Sequence, residues 1–291
     1  MPRLAAVSHD DWTAKPASDL VAAATAELES GAVLFFERLP FAVGDGEQVV
    51  FSPSVLATSK NVSFDPATGR LAGTVLAGGE HEALCELMRR FSDRSAAFVD
   101  ALFPGYRGSV RRARASFRPA EIAGRASSWR KDDTRLHVDS FPASPVRAQR
   151  ILRLFTNVNP HGRARSWRIG DEFEAVARRF ASTLELPLPG SGALLRLLRI
   201  TKSHRSAYDA LMLQLHDRMK ADAKFQARSP QMAVDFPPGA TWLAFTDEVS
   251  HAAMAGQHQL EQTFLLPVDA MTQPERSPLR ILERIKGRRL T

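Results

Sequence analysis

From about residue 106 onward the chain breaks into short runs of strand-forming residues, each closed by Pro, Gly, Asn or Asp. The runs are GSVRRARASF, RLHVDSF, RILRLFTNVN, ARSWRIG, MAVDFP, TWLAFTD and HQLEQTFLLP. A series of this kind predicts an antiparallel β-barrel or sandwich. Two helical insertions interrupt it, near 171–184 (DEFEAVARRFASTL) and 205–220 (RSAYDALMLQLHDRMK). Ahead of it, AVLFFERLPF (32–41) reads as a strand ended by Pro40, and 80–103 as a long amphipathic helix stopped by Pro104-Gly105. The expected organisation is a mixed helix and strand region over 1–105, a β core with helical insertions over 106–270, and a basic amphipathic segment over 271–291.

A chain of 291 residues can bury a sizeable core without disulfides or a structural metal. Its one cysteine, Cys85, excludes an internal disulfide framework and fits a reducing compartment. Within GGEHEALCELMRRF it is expected to be a buried core thiol. No apolar run near the N-terminus suits a signal peptide, and none reaches the roughly 18 residues of a membrane span. The expectation is a cytoplasmic protein, soluble or peripherally attached to a membrane. The net charge of +7, mostly an arginine excess, favours anionic partners such as nucleic acid, acidic lipid headgroups or small polyacids.

The chemistry is concentrated in His137-Val138-Asp139. Side chains two apart on a strand share a face, so this pair offers one nitrogen and one carboxylate to a single metal ion. A third ligand comes from PPGATWLAFTDEVSHAAMAG, where a Pro-Gly turn, an apolar strand and a polar loop lead to His251. Two histidines and one carboxylate form the facial set that holds non-haem iron(II) with three coordination positions left open. His258 is a nearby competitor, read as a surface residue or one behind the ligands. His161, His204 and His216 have no partners at ligand spacing and are read as structural.

The H-x-D, the following RAQRILRLFTNVNP and the late PGATWLAFTDEVSH resemble the double-stranded β-helix oxygenases that use iron and 2-oxoglutarate. The segments LHVDSFPASP and RLFTNVNP are similar, more narrowly, to the Kdo hydroxylase family, which acts on the acidic eight-carbon sugar of bacterial lipopolysaccharide. The likeness runs from LESGAVLFFERLPF through TFLLP. It implies an α+β fold built on a jelly-roll or cupin-like barrel with flanking helices. It also implies Fe(II), 2-oxoglutarate and O2 as cofactors, and hydroxylation at C3 of a Kdo sugar attached to lipid A.

2-Oxoglutarate needs a cation for its distal carboxylate, which a bidentate arginine matches. Many of these oxygenases carry an arginine about ten residues beyond the second histidine. Here that stretch, LEQTF, offers Gln262 and no cation. The strand after the H-x-D supplies Arg150 and Arg153 on opposite faces. Arg153 shares a face with Phe155 and Asn157 and is the expected anchor, with Asn157 and Gln262 as neutral donors. Arg130 and Lys131, with Arg150, are candidates for the substrate's acidic groups. Further arginines crowd 107–118 and 125–135, where a solvated basic face is an equal reading for any one of them. In the C-terminal segment, Leu279, Ile281, Leu282 and Ile285 among five Lys and Arg suit a helix lying on anionic lipid.

Three other readings compete. Basicity alone suggests a nucleic-acid module, but the 107–118 stretch has one phenylalanine among five arginines, and no specific nucleic acid is expected. A sugar-binding barrel without turnover would have no need of the full ligand set. The same oxygenase chemistry on a protein, nucleic acid or other small molecule fits the triad equally, because the triad does not encode the substrate.

Overall fold

The computed structural model describes residues 1–291 apart from 126 and 189. In chain order the main elements are β1 (Leu4–Ala6), α1 (Ser18–Glu29), β2 (Val33–Phe36), β3 (Val62–Asp65), β4 (Arg70–Ala72), α2 (Gly78–Leu102) and β5 (Arg111–Arg118). Then come β6 (Arg150–Asn157), β7 (Arg165–Gly170), α3 (Phe173–Phe180), α4 (Ser191–Leu197), α5 (Ala207–Ala221) and α6 (Ala223–Arg228). The chain ends with β8 (Gln231–Phe236), β9 (Thr241–Phe245), β10 (His251–Ala255), β11 (Gln259–Leu266) and α7 (Pro278–Lys286).

Two sheets form the core. The larger runs β1-β2-β9-β6-β11-β5-β3-β4, antiparallel except where β1 pairs with β2, and the smaller runs β10-β7-β8. They pack face to face through Phe155, Trp242 and Ala244 on one side and Trp167, Ile169, Phe236 and Ala253 on the other. Phe236 and Trp242 stack at 4.0 Å, and Trp167 meets Trp242 edge-on at 5.6 Å. Aromatic pairs fill the roughly 10 Å between sheets with few side chains. This is the jelly-roll-like α+β architecture expected from the sequence.

Each sheet is also covered on its outer face. Leu152, Leu154, Leu243, Phe245, Leu260 and Phe264 turn outward from the large sheet onto α1 and α2. The α2 residues Leu84, Leu87, Met88, Phe91, Phe98, Val99 and Leu102 recur every three or four positions, and that periodicity makes the segment a helix and aims it at the sheet. Helices α3, α5, α6 and α7 cover the small sheet through Phe173, Leu211, Leu215, Phe225 and Leu282. Strands β9 and β11 are therefore buried along their whole length.

Several sequence expectations change. RLHVDSF is not a strand: it touches the small sheet through a single antiparallel bridge, His137 to His251. HAAMA, rich in alanine and not among the strand candidates, is strand β10. Cys85 is half-buried rather than in the core, its thiol donating to Gly69 O at 3.3 Å, and burial raises its pKa. The C-terminal segment is helical, but Leu279, Ile281 and Leu282 are buried against the domain. The apolar face needed for a lipid-lying helix is already covered by protein, which removes the ground for expecting membrane contact there.

Candidate metal centre

His137 and His251 face each other across that bridge. The His137 amide donates to His251 O at 3.0 Å, and the His251 amide returns a bond to His137 O at 2.9 Å. The Asp139 amide donates to Thr246 O at 2.7 Å, which keeps the segment extended and sets Asp139 on the same side as His137. One ligand atom from each of His137, Asp139 and His251 lies within 4.8 Å of the other two.

The tautomers are fixed by the backbone. His137 Nδ1–H donates to Arg135 O at 2.7 Å, and His251 Nδ1–H donates to Val249 O at 2.8 Å. Both protons are thus held away from the site and both Nε2 lone pairs are free, as metal-binding histidines require. Burial, reinforced by nearby Lys220, lowers the pKa of His137 well below the ordinary range, and burial lowers that of His251 as well. Burial alone would raise the pKa of Asp139, but the Arg153 guanidinium beside it outweighs the burial and holds the carboxylate ionised. Asp139 Oδ2 is buried and accepts no hydrogen bond, although Arg153 Nε stands 3.2 Å away off the hydrogen-bonding direction. Two neutral imidazoles and an ionised carboxylate oxygen without a donor make a set that fits a divalent transition metal and leaves one side open.

That open side faces a cavity of about 390 Å³ whose lining carries seven Lys and Arg against Asp133, Asp139 and Glu261. The surplus suits an anionic ligand. On the large-sheet wall the charges are matched: Glu261 binds Arg153 at 2.9 Å and Arg118 at 3.1 Å, while Lys60 binds Asp133 at 2.7 Å. On the small-sheet wall they are not. Arg165 of β7 is 2% exposed and donates from one terminal nitrogen to Gly256 O at 2.6 Å, while its Nε has no partner. No carboxylate within ion-pair reach balances it among the described residues. Burial and the neighbouring Arg118 push its pKa down to about 9, still far enough above neutrality that the guanidinium stays charged. Two residues along β7 on the same face, the buried Trp167 Nε1 also lacks an acceptor, and its ring stacks on His251 at 5.1 Å. Gly256, at φ +102°, allows this packing, since a Cβ there would lie 2.7 Å from Ala164 O and 3.0 Å from Arg165 Cα.

The other expected residues divide. Arg153 lines the cavity, but its guanidinium is engaged by Asp139 and Glu261. Asn157 shares the inward face yet lies at the far end of β6, with its amide donating to Arg163 O and Phe236 O; it is a structural residue. Gln262 points away: β11 alternates, Gln259 and Glu261 face the cavity, and Gln262 donates to Ala113 O on the other side. Arg150 is wholly buried, its guanidinium ion-paired to Asp247 at 2.8 Å and to Glu248, so it cannot meet a substrate. Arg130 and Lys131 stand at the cavity rim, Arg130 stacked on Trp129 and 3.3 Å from Asp217. His258 is buried between Phe51 and Phe117 rather than at the surface.

Sequence reasoning missed Arg165, Arg118 and His216. His216 comes from α5 and meets His137 edge-on at 5.3 Å, a contact no local spacing could reveal. Arg165 did carry a signal, because ARSWRIG alternates Arg165, Trp167 and Ile169 on one face, an arginine among residues that must be buried.

The model of the family described as 3-deoxy-D-manno-oct-2-ulosonic acid (Kdo) hydroxylase matches residues 11–289. No curated protein sequence matches the chain. Among solved structures, the Kdo hydroxylase KdoO, described as a non-haem Fe(II) α-ketoglutarate-dependent dioxygenase, in complex with α-ketoglutarate and Fe(III), is 45% identical. It matches with a TM-score of 0.96, covering 99% of this chain and 97% of that chain. The same enzyme with cobalt(II) matches at 46% identity and TM-score 0.96 over the same shares, and with succinate and Fe(III) at 45% and 0.95. With a family match over nearly its whole length and relatives at this identity, the chain belongs to the Kdo hydroxylase family.

Proposed function

We infer that this protein is an Fe(II)- and 2-oxoglutarate-dependent dioxygenase that hydroxylates a Kdo sugar, acting at C3 while the sugar is attached to lipid A. The observation that carries the chemistry is the set of two Nδ1-protonated histidines and one unbonded carboxylate oxygen opening onto a cation-rich cavity. When bound, iron, 2-oxoglutarate and O2 supply the oxidising power to replace an unactivated C–H with C–OH, 2-oxoglutarate leaving as succinate and CO2.

The residues of the chain position and balance that chemistry. His137 Nε2, His251 Nε2 and an Asp139 oxygen hold the metal. Arg153, anchored by Glu261, fixes the Asp139 carboxylate from behind. Arg165 would be the cation for the distal carboxylate of 2-oxoglutarate, with Trp167 Nε1 as a second donor, because the Arg165 guanidinium has no carboxylate partner and both its Nε and Trp167 Nε1 are buried without an acceptor. Phe155 and Trp167 keep water from that wall. The acidic sugar enters from the rim, where Arg130 and Lys131 stand, and His216 offers its ring to a sugar hydroxyl. A basic groove of about 830 Å³ continues from the cavity along β5 and the 141–149 loop, sharing Arg118, Arg153, Phe141 and Pro142 with it. Arg111, Arg114 and Arg147 line the groove and would take the phosphates of lipid A.

The test is succinate release from 2-oxoglutarate by iron-loaded protein, with and without Kdo2-lipid A. Stimulation by the lipid, a product heavier by one oxygen, and loss of both in His137→Ala are expected. Succinate release that the lipid does not stimulate would keep the oxygenase and refute the substrate.

A further inference from the structure

Large apolar side chains are seldom left in water in clusters, yet such a cluster stands out among the described residues. Of the nine large hydrophobic residues exposed among the described residues, six fall between 186 and 200: Leu186, Leu188, Leu194, Leu197, Leu198 and Ile200. Leu197 is 78% exposed and Leu188 80%. Leu194, Leu197 and Leu198 stand at i, i+3 and i+4, one face of α4, and Ile200 follows where Arg199 adopts φ +56° and ends the helix.

The charges within this segment have one sign. From Leu186 to Arg205 the sequence holds Arg196, Arg199, Lys202 and Arg205 and no Asp or Glu. Leucines interleaved with cations are the composition of a segment that sinks its apolar side chains below a layer of anionic headgroups. We propose that Leu186, Leu188 and residues 190–200, with their flanking cations, form a docking surface for an anionic lipid bilayer.

The position of the segment supports this occupant. Gly192 brings α4 against the returning chain so closely that a Cβ would lie 2.3 Å from Arg205 O. From there the chain braces the loop that walls the basic groove: the Lys202 amide donates to Ala143 O at 2.9 Å, Ser203 Oγ to Pro145 O at 3.2 Å, and Arg205 to Pro142 O at 2.5 Å. Arg147, in the same loop, is held in the left-handed region at φ +54° with its amide on Asp209 Oδ1 at 3.1 Å. A bilayer under α4 would thus lie beside the groove assigned above to the lipid end of the substrate. The docking itself needs no turnover, so it stands or falls separately from the substrate assignment. It also moves membrane contact away from α7, whose apolar face is buried.

The experiment is co-sedimentation of the full chain with extruded vesicles of phosphatidylethanolamine and phosphatidylglycerol, and with vesicles of phosphatidylcholine alone. Wild type is expected to bind the anionic vesicles and to be released by salt. Leu197→Ser with Leu198→Ser, and separately Arg196→Gln with Arg199→Gln, should each weaken binding about tenfold or more while leaving cobalt(II) affinity and Tm unchanged. These side chains are in solvent, so loss of fold is not expected, and the arginine pair tests the surface independently of the leucines. Failure of wild type to bind anionic vesicles, or binding that neither pair alters, overturns the proposal. So does a dimer in sedimentation velocity that the leucine pair dissociates, which would make the patch a contact between copies of the chain.

Discussion

The two walls of the cavity carry similar residues and treat them differently. On the large-sheet wall, Arg118 and Arg153 share Glu261, and Arg153 also reaches Asp139. On the small-sheet wall, Arg165 and Trp167 point inward with donors that nothing accepts. A buried charge without a partner is costly, and a fold retains one when a ligand completes it. The matched wall braces Asp139 through Arg153, and the unmatched wall is the one proposed to take an anion. The same contrast underlies the proposal that Arg165, rather than the ion-paired Arg153 on the inward face of β6, anchors the cosubstrate.

Removing the shared carboxylate breaks the matched wall most severely. Glu261→Gln leaves two arginines facing each other in a buried place, and about 3–5 kcal/mol of stability should be lost, read as a lower denaturation midpoint. An unchanged midpoint would mean that Arg118 and Arg153 do not depend on Glu261.

A smaller effect is expected with pH. The folded-state pKa values of His137 and His251 are lowered, so their rings stay neutral below the usual histidine value of about 6.5. Protons should therefore begin to compete with metal only below that value. Apparent cobalt(II) affinity is expected to stay flat as pH falls from 7.5 to about 6.5 and to drop at lower pH. A decline already complete at pH 6.5 would show that burial does not hold these rings neutral.

Much of the metal centre was legible because its signal is local. H-x-D on an extended backbone shares a face whatever the fold, and a histidine after an apolar strand and a loop returns to the same rim. Which face of β11 looks into the cavity was not legible. All eight of its residues are buried, so no alternation of apolar and polar separates Glu261 from Gln262, and counting from His251 selected the wrong neighbour. Arg150 and Arg153 were correctly placed on opposite faces, but Asp247 and Glu261, which pair with them, lie about a hundred positions away. The same limit separates α7 from α4. Both mix leucine or isoleucine with basic residues, and only tertiary packing decides that α7 is covered by α3 and its neighbours while the leucines of α4 face water.

The division between the walls is tested most directly by calorimetric titration of cobalt(II), and then of 2-oxoglutarate into the cobalt(II)-loaded protein, for wild type, Arg165→Gln and Arg153→Gln. Arg165→Gln should weaken 2-oxoglutarate by about a hundredfold, the loss expected for a buried charged contact, with cobalt(II) affinity unchanged. Arg153→Gln should instead weaken cobalt(II) by about 10- to 100-fold, as loss of a group that orients a metal ligand does. If 2-oxoglutarate binds Arg165→Gln as tightly as wild type, the unmatched wall is not its site and the account of the cavity is wrong.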